Sequence, residues 1–460
     1  EIPLRLVGSE MCIRDSMCNG TIMDKLISFS LPLMLSGILQ LMFNAVDIIV
    51  IGRFSGSRSL AAVGSTTALI NMFTNLFIGI SLGANVLSAR FYAAGRDKEM
   101  SETVHTAITL ALISGILMVF VGLIFAKPVL ELMDTPDDVI NLSTLYMRIY
   151  FLGMPFFMLY NYGASILRAV GDTKRPLFFL IIAGIVNAGL NMCLVIIFHL
   201  GVAGVAIGTV ISQLISSVLV LRCLYQSQTS YQLRFSKLKI KGEYLKQIFQ
   251  VGIPAGIQST VINFSNVLLQ SSVNSFGSIA MAGYTAANNI FGFLYVTVNA
   301  VTQACMSFTS QNYGVGKWKR MDRVLIDCLI LSFTAMMILG NSAYFFGPKL
   351  LTIYTSNPKV IQCGMDILLY TTVTYFLCGF MDLFPGALRG MGRSGVPMIL
   401  SVIGTVGTRI VWIFWIFPSH RSLDILFISY PASWIITIIL QVICYYFVRK
   451  QLYGRQAVQA

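Results

Sequence analysis

The chain has 460 residues, of which 56% are hydrophobic and only 11% charged, with a mean hydropathy of +0.76. That composition excludes an ordinary soluble globular protein, and its repeated long apolar runs put it in a membrane. The net charge of +13 and pI near 9.3 would suit a nucleic-acid binder, but the charges sit in short loops between apolar spans, as a positive cytoplasmic side requires.

Residues 1–16 (EIPLRLVGSEMCIRDS) lack the apolar core of a signal peptide. The string resembles translated adaptor sequence, so we expect a non-native or disordered leader and a native start at Met17. Apolar spans follow at 26–52, 60–88, 104–126, 139–166, 177–198, 203–224, 247–275, 280–309, 324–346, 359–387, 398–417 and 425–448. The expected fold class is therefore an all-α membrane protein of about twelve transmembrane helices. Pro32, Pro155, Pro254 and Pro385 fall inside spans, where neighbouring helices can satisfy the freed backbone groups. With the N-terminus inside, about 24 of the 32 Lys and Arg residues are cytoplasmic, which sets both termini inside.

The first span carries Gln40, Asn44 and Asp47 at i, i+4 and i+7, on one helix face. A carboxylate at such depth costs about 2.5–3.5 kcal/mol on insertion scales, so it normally faces a bundle interior or a wet cavity. The alternative is an acid tipping into the headgroups. Asp47 lies six residues before Arg53, roughly 9 Å along the axis, too deep for so short a side chain. On span 5, Asn187 and Asn191 form an i, i+4 pair; Thr209 lies on span 6. Counted from the outer ends, Asn191 and Thr209 sit roughly 11 and 9 Å deep, level with Asp47. A carboxylate with amide and hydroxyl partners is what a buried proton or cation site needs. Taken singly, each polar residue reads as an interhelical hydrogen bond.

The connection 226–246 is basic (Lys237, Lys239, Lys241, Lys246) and divides two copies of one pattern. LRAVGDTKRP at 167–176 matches LRGMGRSGVP at 388–397 with an offset of 221; Tyr92–Gly95 matches Tyr313–Gly316 likewise, and Pro32 and Asn44 recur as Pro254 and Asn266 at 222. Two pseudo-symmetric six-helix lobes follow, 17–225 and 247–450, with a cytoplasmic tail at 451–460; six being even, the axis relating them lies along the membrane normal. In the second lobe Asp47 maps to Leu269, Asn187 to Thr408 and Asn191 to Trp412, so the ionisable pocket is expected only in the first.

Span 7 instead presents Asn263, Asn266, Gln270 and Asn274, a neutral stripe that Asn288, Asn289 and Gln303 on span 8 extend. This is either a wall of the substrate cavity or helix–helix hydrogen bonding. Asp382 on span 10 is a second intramembrane acid: paired with Arg409 on span 11 it is structural, unpaired it joins the cavity. The GxxxG spacings Gly79/Gly83, Gly204/Gly208 and Gly252/Gly256 suggest close helix packing. No P-loop, catalytic constellation or Cys/His metal cluster is recognisable, so no enzyme activity, cofactor or metal is expected beyond a Na⁺ at Asp47. His105, His199 and His420 are assigned no role.

The stretch Pro32–Gly64 and the loops LRAVGDTKRP and LRGMGRSGVP make the chain, from about Met17 to Arg449, resemble the multidrug and toxic compound extrusion (MATE) transporters. The resemblance implies a two-lobed exporter that exchanges protons or sodium for amphipathic, often cationic drugs. In the family's proton-coupled, DinF-like branch a first-helix acid works with polar residues matching Asn187, Asn191 and Thr209; Asn191 stands where that branch can carry a second acid. A flippase for lipid-linked saccharides is the alternative, although its pyrophosphate would favour a more cationic cavity. Either way the partners expected are small amphipathic molecules and lipids, not nucleic acid, with a monomeric chain in the plasma membrane (the inner membrane of a cell with two).

Overall fold

A computed structural model describes residues 17–133, 135–419 and 421–459; the leader 1–16 and His420 lie outside the described residues. Among these no strand is present. The first half of the chain folds as α1 (Met23–Phe54), α2 (Gly56–Ala93), α3 (Asp97–Leu132), α4 (Asp137–Leu152), α5 (Met154–Ala169), α6 (Lys174–Met192) and α7 (Gly201–Gln226). The second half gives α8 (Gly242–Asn274), α9 (Ser278–Gly314), α10 (Trp318–Phe345), the short α11 (Gly347–Thr352), α12 (Pro358–Thr372), α13 (Tyr375–Gly390), α14 (Gly395–Ser401), α15 (Thr408–Val411) and α16 (Leu423–Gln459).

Among the described residues nine helices are long and apolar enough to cross a membrane, and up to eleven if the bent pairs α4–α5 (46°) and α12–α13 (44°) each count as one span. The first bend falls at Gly153, with Pro155 opening α5, where a missing N–H costs least. Helix α8 is the twelfth long helix; its Asn and Gln residues lower its hydropathy, and it is not among the nine. Three stretches wind as π turns: Cys193–Ile197 after α6, and Val402–Gly407 and Trp412–Ile416 on either side of α15.

Contacts divide the chain into two compact units: Leu35–Gly256, and Ile257–Ala460 together with the described residues before Leu35. The unit boundaries therefore cut through α1 and α8 at equivalent places, just after Pro32 and Pro254, instead of falling in the basic connection. The unit of Leu35–Gly256 is built round Met100, Leu130, Phe151 and Tyr162. Its α2 and α8 interlock through the paired small residues: a Cβ on Gly79 would meet the Gly256 backbone, and one on Gly252 the Ile80 backbone. The basic connection packs into the same unit. The Arg234 N–H donates to His105 Nε2 at 3.0 Å, the Lys241 N–H to Thr106 Oγ1 at 3.2 Å, and Tyr231 lies edge-on to Tyr92. His105 thus holds that connection to α3, a role its sequence position did not suggest.

The other unit has two apolar clusters, one round Tyr284, Met336 and Phe427, the second round Leu26, Phe308 and Leu388. In the second, Met17 and Cys18 are buried, and the backbone carbonyls of 17–20 accept hydrogen bonds from Asn312, Lys317 and Arg320. That fastens the start of α1 to the turn between α9 and α10.

Candidate functional site

Within the unit of Leu35–Gly256, α1, α6 and α7 meet at one depth. The Asn191 Nδ2 donates to Asp47 Oδ1 at 2.5 Å and to Asn187 Oδ1 at 3.3 Å. The Asn187 Nδ2 donates to Thr209 Oγ1 at 3.5 Å, and the Thr209 hydroxyl donates to the Val205 carbonyl at 3.0 Å. Hydrogen bonds thus link α7 through α6 to the carboxylate on α1, with donation running outward from Asn191 towards Asp47 on one side and towards Asn187 and Thr209 on the other. Asn191 is fully buried and Asn187 nearly so, while Asp47 is half-buried. The amide of Asn191 fits because position 208 is glycine: a Cβ there would collide with Asn191 Oδ1. Among the described residues that oxygen has no hydrogen-bond partner, so it can accept from a proton donor or bind a cation. Directly after Met192 the helix continues as the π turn Cys193–Ile197, a distortion that recurs at functional sites.

Sequence reasoning missed Tyr146 and Tyr150 on α4, a tilted pair with ring centroids 6.1 Å apart, both within electrostatic reach of Asp47. As aromatic residues in an apolar span they carry no polar signature. Gln40 and Asn44 are exposed, and among the described residues they take no part in the network. Gln40 lies seven residues from Asp47, roughly 10 Å along α1, beyond the single depth at which α6 and α7 supply partners.

The other unit contains a second polar pocket. Arg409, on α15, is 3% exposed. Its Nη1 donates to Asn266 Oδ1 at 2.7 Å and to Ser265 Oγ at 3.4 Å, and its Nε to Ser433 Oγ at 3.4 Å. The guanidinium lies 4.7 Å from the centroid of the Tyr430 ring, whose hydroxyl pairs with that of Tyr284 at 2.8 Å. The expected Asp382–Arg409 pair is not formed: the cation near Asp382 is Arg389, one residue short of the end of its own helix α13. Arg409 is drawn instead to acceptors on α8 and α16. The Arg389 Nη2 donates to Gln258 Oε1 at 2.6 Å, and Asp382 also approaches Tyr295.

The neutral stripe is divided. Asn266 serves Arg409, the helix–helix alternative. Asn263, Asn274, Asn288 and Asn289 are exposed, and Gln270 donates to Asn274 at 3.0 Å. Gln303 donates to Asn299 at 2.5 Å within α9. Among the described residues no group of three or more His, Cys, Asp or Glu side chains could hold a metal ion.

Two repeats of one helical pattern, each burying a polar pocket within apolar spans, define a multi-pass membrane transporter. A family model described as MatE matches residues 32–193 and, 222 residues on, 254–415. The chain belongs to this family of multidrug efflux transporters. It is 29% identical over 434 residues to a Bacillus subtilis (strain 168) protein named "Probable multidrug resistance protein YoeA", covering 92% of this chain and 93% of that one. The Multidrug export protein MepA of Staphylococcus aureus (strain NCTC 8325 / PS 47) is 23% identical over 380 residues, 82% of this chain and 84% of MepA. The fold matches the outward-facing conformation of a multidrug resistance MATE family transporter of the MOP superfamily with a TM-score of 0.87 at 20% identity, over 96% of this chain and 98% of that one. A MOP superfamily transporter from Pyrococcus furiosus gives 0.85 at 21% identity, over 95% and 97%.

Proposed function

We propose that the chain exports amphipathic organic compounds, cations among them, in exchange for protons or sodium taken up at Asp47. The observation that carries the reading is the hydrogen-bonded chain Thr209–Asn187–Asn191–Asp47. It sets a carboxylate in a low-dielectric site with neutral partners only, where gain or loss of one positive charge changes the electrostatics most. Inward movement of that charge is driven by about 2.3 kcal/mol per 100 mV if it crosses the full field. The cycle is alternating access, with the cation entering from outside and substrate leaving outward. The protein works as a monomer in the plasma membrane with both termini cytoplasmic, and the drug-export names of its relatives favour this reading over lipid flipping.

The test is efflux from proteoliposomes under proton and sodium gradients imposed separately. One gradient drives wild-type efflux, and Asp47→Asn, folded and reconstituted normally, removes the response. Wild-type efflux by Asp47→Asn under the same gradient refutes the proposal.

A further inference from the structure

We infer that Arg409 is an anion subsite, which takes the carboxylate of a zwitterionic or anionic amphipathic substrate; the inference rests on the transport reading above. Three observations carry it. The first is position. Arg409 is gripped from α8 and α16, and by the repeat α8, the span Gly395–Ser419 and α16 correspond to α1, α6 and α7. Asn266 is the counterpart of Asn44, Tyr430 of Thr209, and Arg409 follows Thr408, the counterpart of Asn187. The same three-helix pocket therefore occurs in each repeat, with an acid in one and a cation in the other.

The second is compensation. All the groups that hold Arg409 are neutral: an amide, two hydroxyls and an aromatic face. Among the described residues no carboxylate reaches it, and its Nη2 makes no hydrogen bond. A buried charge without a counter-ion is costly, and with Nε and Nη1 engaged the Nη2 is the nitrogen left to meet a carboxylate oxygen in a hydrogen bond between charged groups. One cation answers one carboxylate, not a diphosphate. The third is access. Asn266 belongs to the α8 stripe whose Asn263 and Asn274 are exposed, and a polar face at membrane depth lines water, not lipid. The Asn266 amide that holds Arg409 thus joins it to that face, and the π turns Val402–Gly407 and Trp412–Ile416 flank the residue.

The experiment uses the purified full chain and, as probes, a quinolone carboxylic acid and its methyl ester, which differ in the charge and one methyl group. Trp434, packed 5.8 Å from Tyr430, reports binding by fluorescence quenching. Wild type binds the acid about tenfold more tightly than the ester, as expected for a hydrogen bond between charged groups. Arg409→Gln binds both with the ester's affinity, and it binds ethidium, a cation without a carboxylate, no more weakly than wild type does. Equal binding of acid and ester by wild type overturns the inference, and so does an acid preference that survives in Arg409→Gln. If Arg409→Gln does not fold, Arg409→Lys, which keeps the charge, takes its place: it should retain an acid preference smaller than that of wild type, and a preference equal to wild type overturns the inference. Failure of wild-type ethidium efflux under both gradients counts against the transport reading instead and leaves this binding comparison standing.

Discussion

Gly208→Ala perturbs the Asp47 site without replacing any of its hydrogen-bonding residues. An added methyl group would occupy the place of Asn191 Oδ1, so Asn191 must turn and release Asp47. In an ordinary helix interior, Gly→Ala stabilises by about 0.5–1 kcal/mol. Here overpacking costs about 1–3 kcal/mol, and losing a hydrogen bond to a charged acceptor costs about 1.5–3 kcal/mol more. The costs outweigh the gain by roughly 2–5 kcal/mol. An amide that donates to the carboxylate favours its charged form, so the hydrogen-bond share alone corresponds to about a 10- to 100-fold tighter hold on a coupling proton. Gly204→Ala, one turn earlier, is the control: its Cβ would approach Leu194 to 3.2 Å, a contact that a few tenths of an ångström relieve. The assay is the dependence of efflux on the size of the driving gradient in proteoliposomes. Gly208→Ala, which gives up its proton less readily, should turn over more slowly at every gradient, and Gly204→Ala should resemble wild type. Equal behaviour of Gly208→Ala and wild type would refute the claim that Asn191 supports the carboxylate.

Two predictions concern stability. Gly252→Ala drives a methyl group into the Ile80 backbone, which cannot step aside as a side chain can; a loss of about 1–3 kcal/mol should lower the thermal unfolding midpoint in detergent, and an unchanged midpoint would contradict the α2–α8 interlock. Asp322 accepts hydrogen bonds from Tyr445 and Tyr453 and pairs with Arg449, each at 2.9 Å. Asp322→Asn should cost about 1.5–3 kcal/mol and make the end of α16 more open to limited proteolysis, and wild-type protease resistance would count against that anchorage.

Most spans could be read from the sequence because length and apolarity suffice to define a membrane helix. Helix α8 was legible as the span 247–275 because its apolar residues outweigh its Asn and Gln, and the repeat, which sets Pro254 and Asn266 opposite Pro32 and Asn44, agrees with it. The cluster at Asp47 could be read because a regular helix converts residue number into depth, and Asp47, Asn191 and Thr209 share one depth. Depth is not direction, however. The sequence put Asp382 and Arg409 within reach of each other, yet Arg409 turns to Asn266 and Ser433. The π turns on either side of it insert extra residues per turn and shift the face that a regular helix would assign. Likewise the helical wheel grouped Gln40 and Asn44 with Asp47, but α6 and α7 offer no partner at their level.

The repeat also supplies a way to cancel the Arg409 charge without altering Arg409. Leu269, the counterpart of Asp47, is 1% exposed and lies four residues after Ser265 and three after Asn266, on the helix face that grips Arg409. Leu269→Asp would place in the second pocket the acid that the first one has. There it would meet a cation, where Asp47 meets amides. Replacing a buried leucine by an acid is normally strongly destabilising, but an adjacent buried cation offsets much of that cost. If Arg409 lacks a counter-ion, this variant should reconstitute and should lose the acid-over-ester preference, because the new carboxylate fills the place of the ligand's. Its Asp47-dependent ethidium efflux should persist, since the first pocket is untouched. An acid preference retained in a folded Leu269→Asp would mean that the ligand's carboxylate is recognised elsewhere.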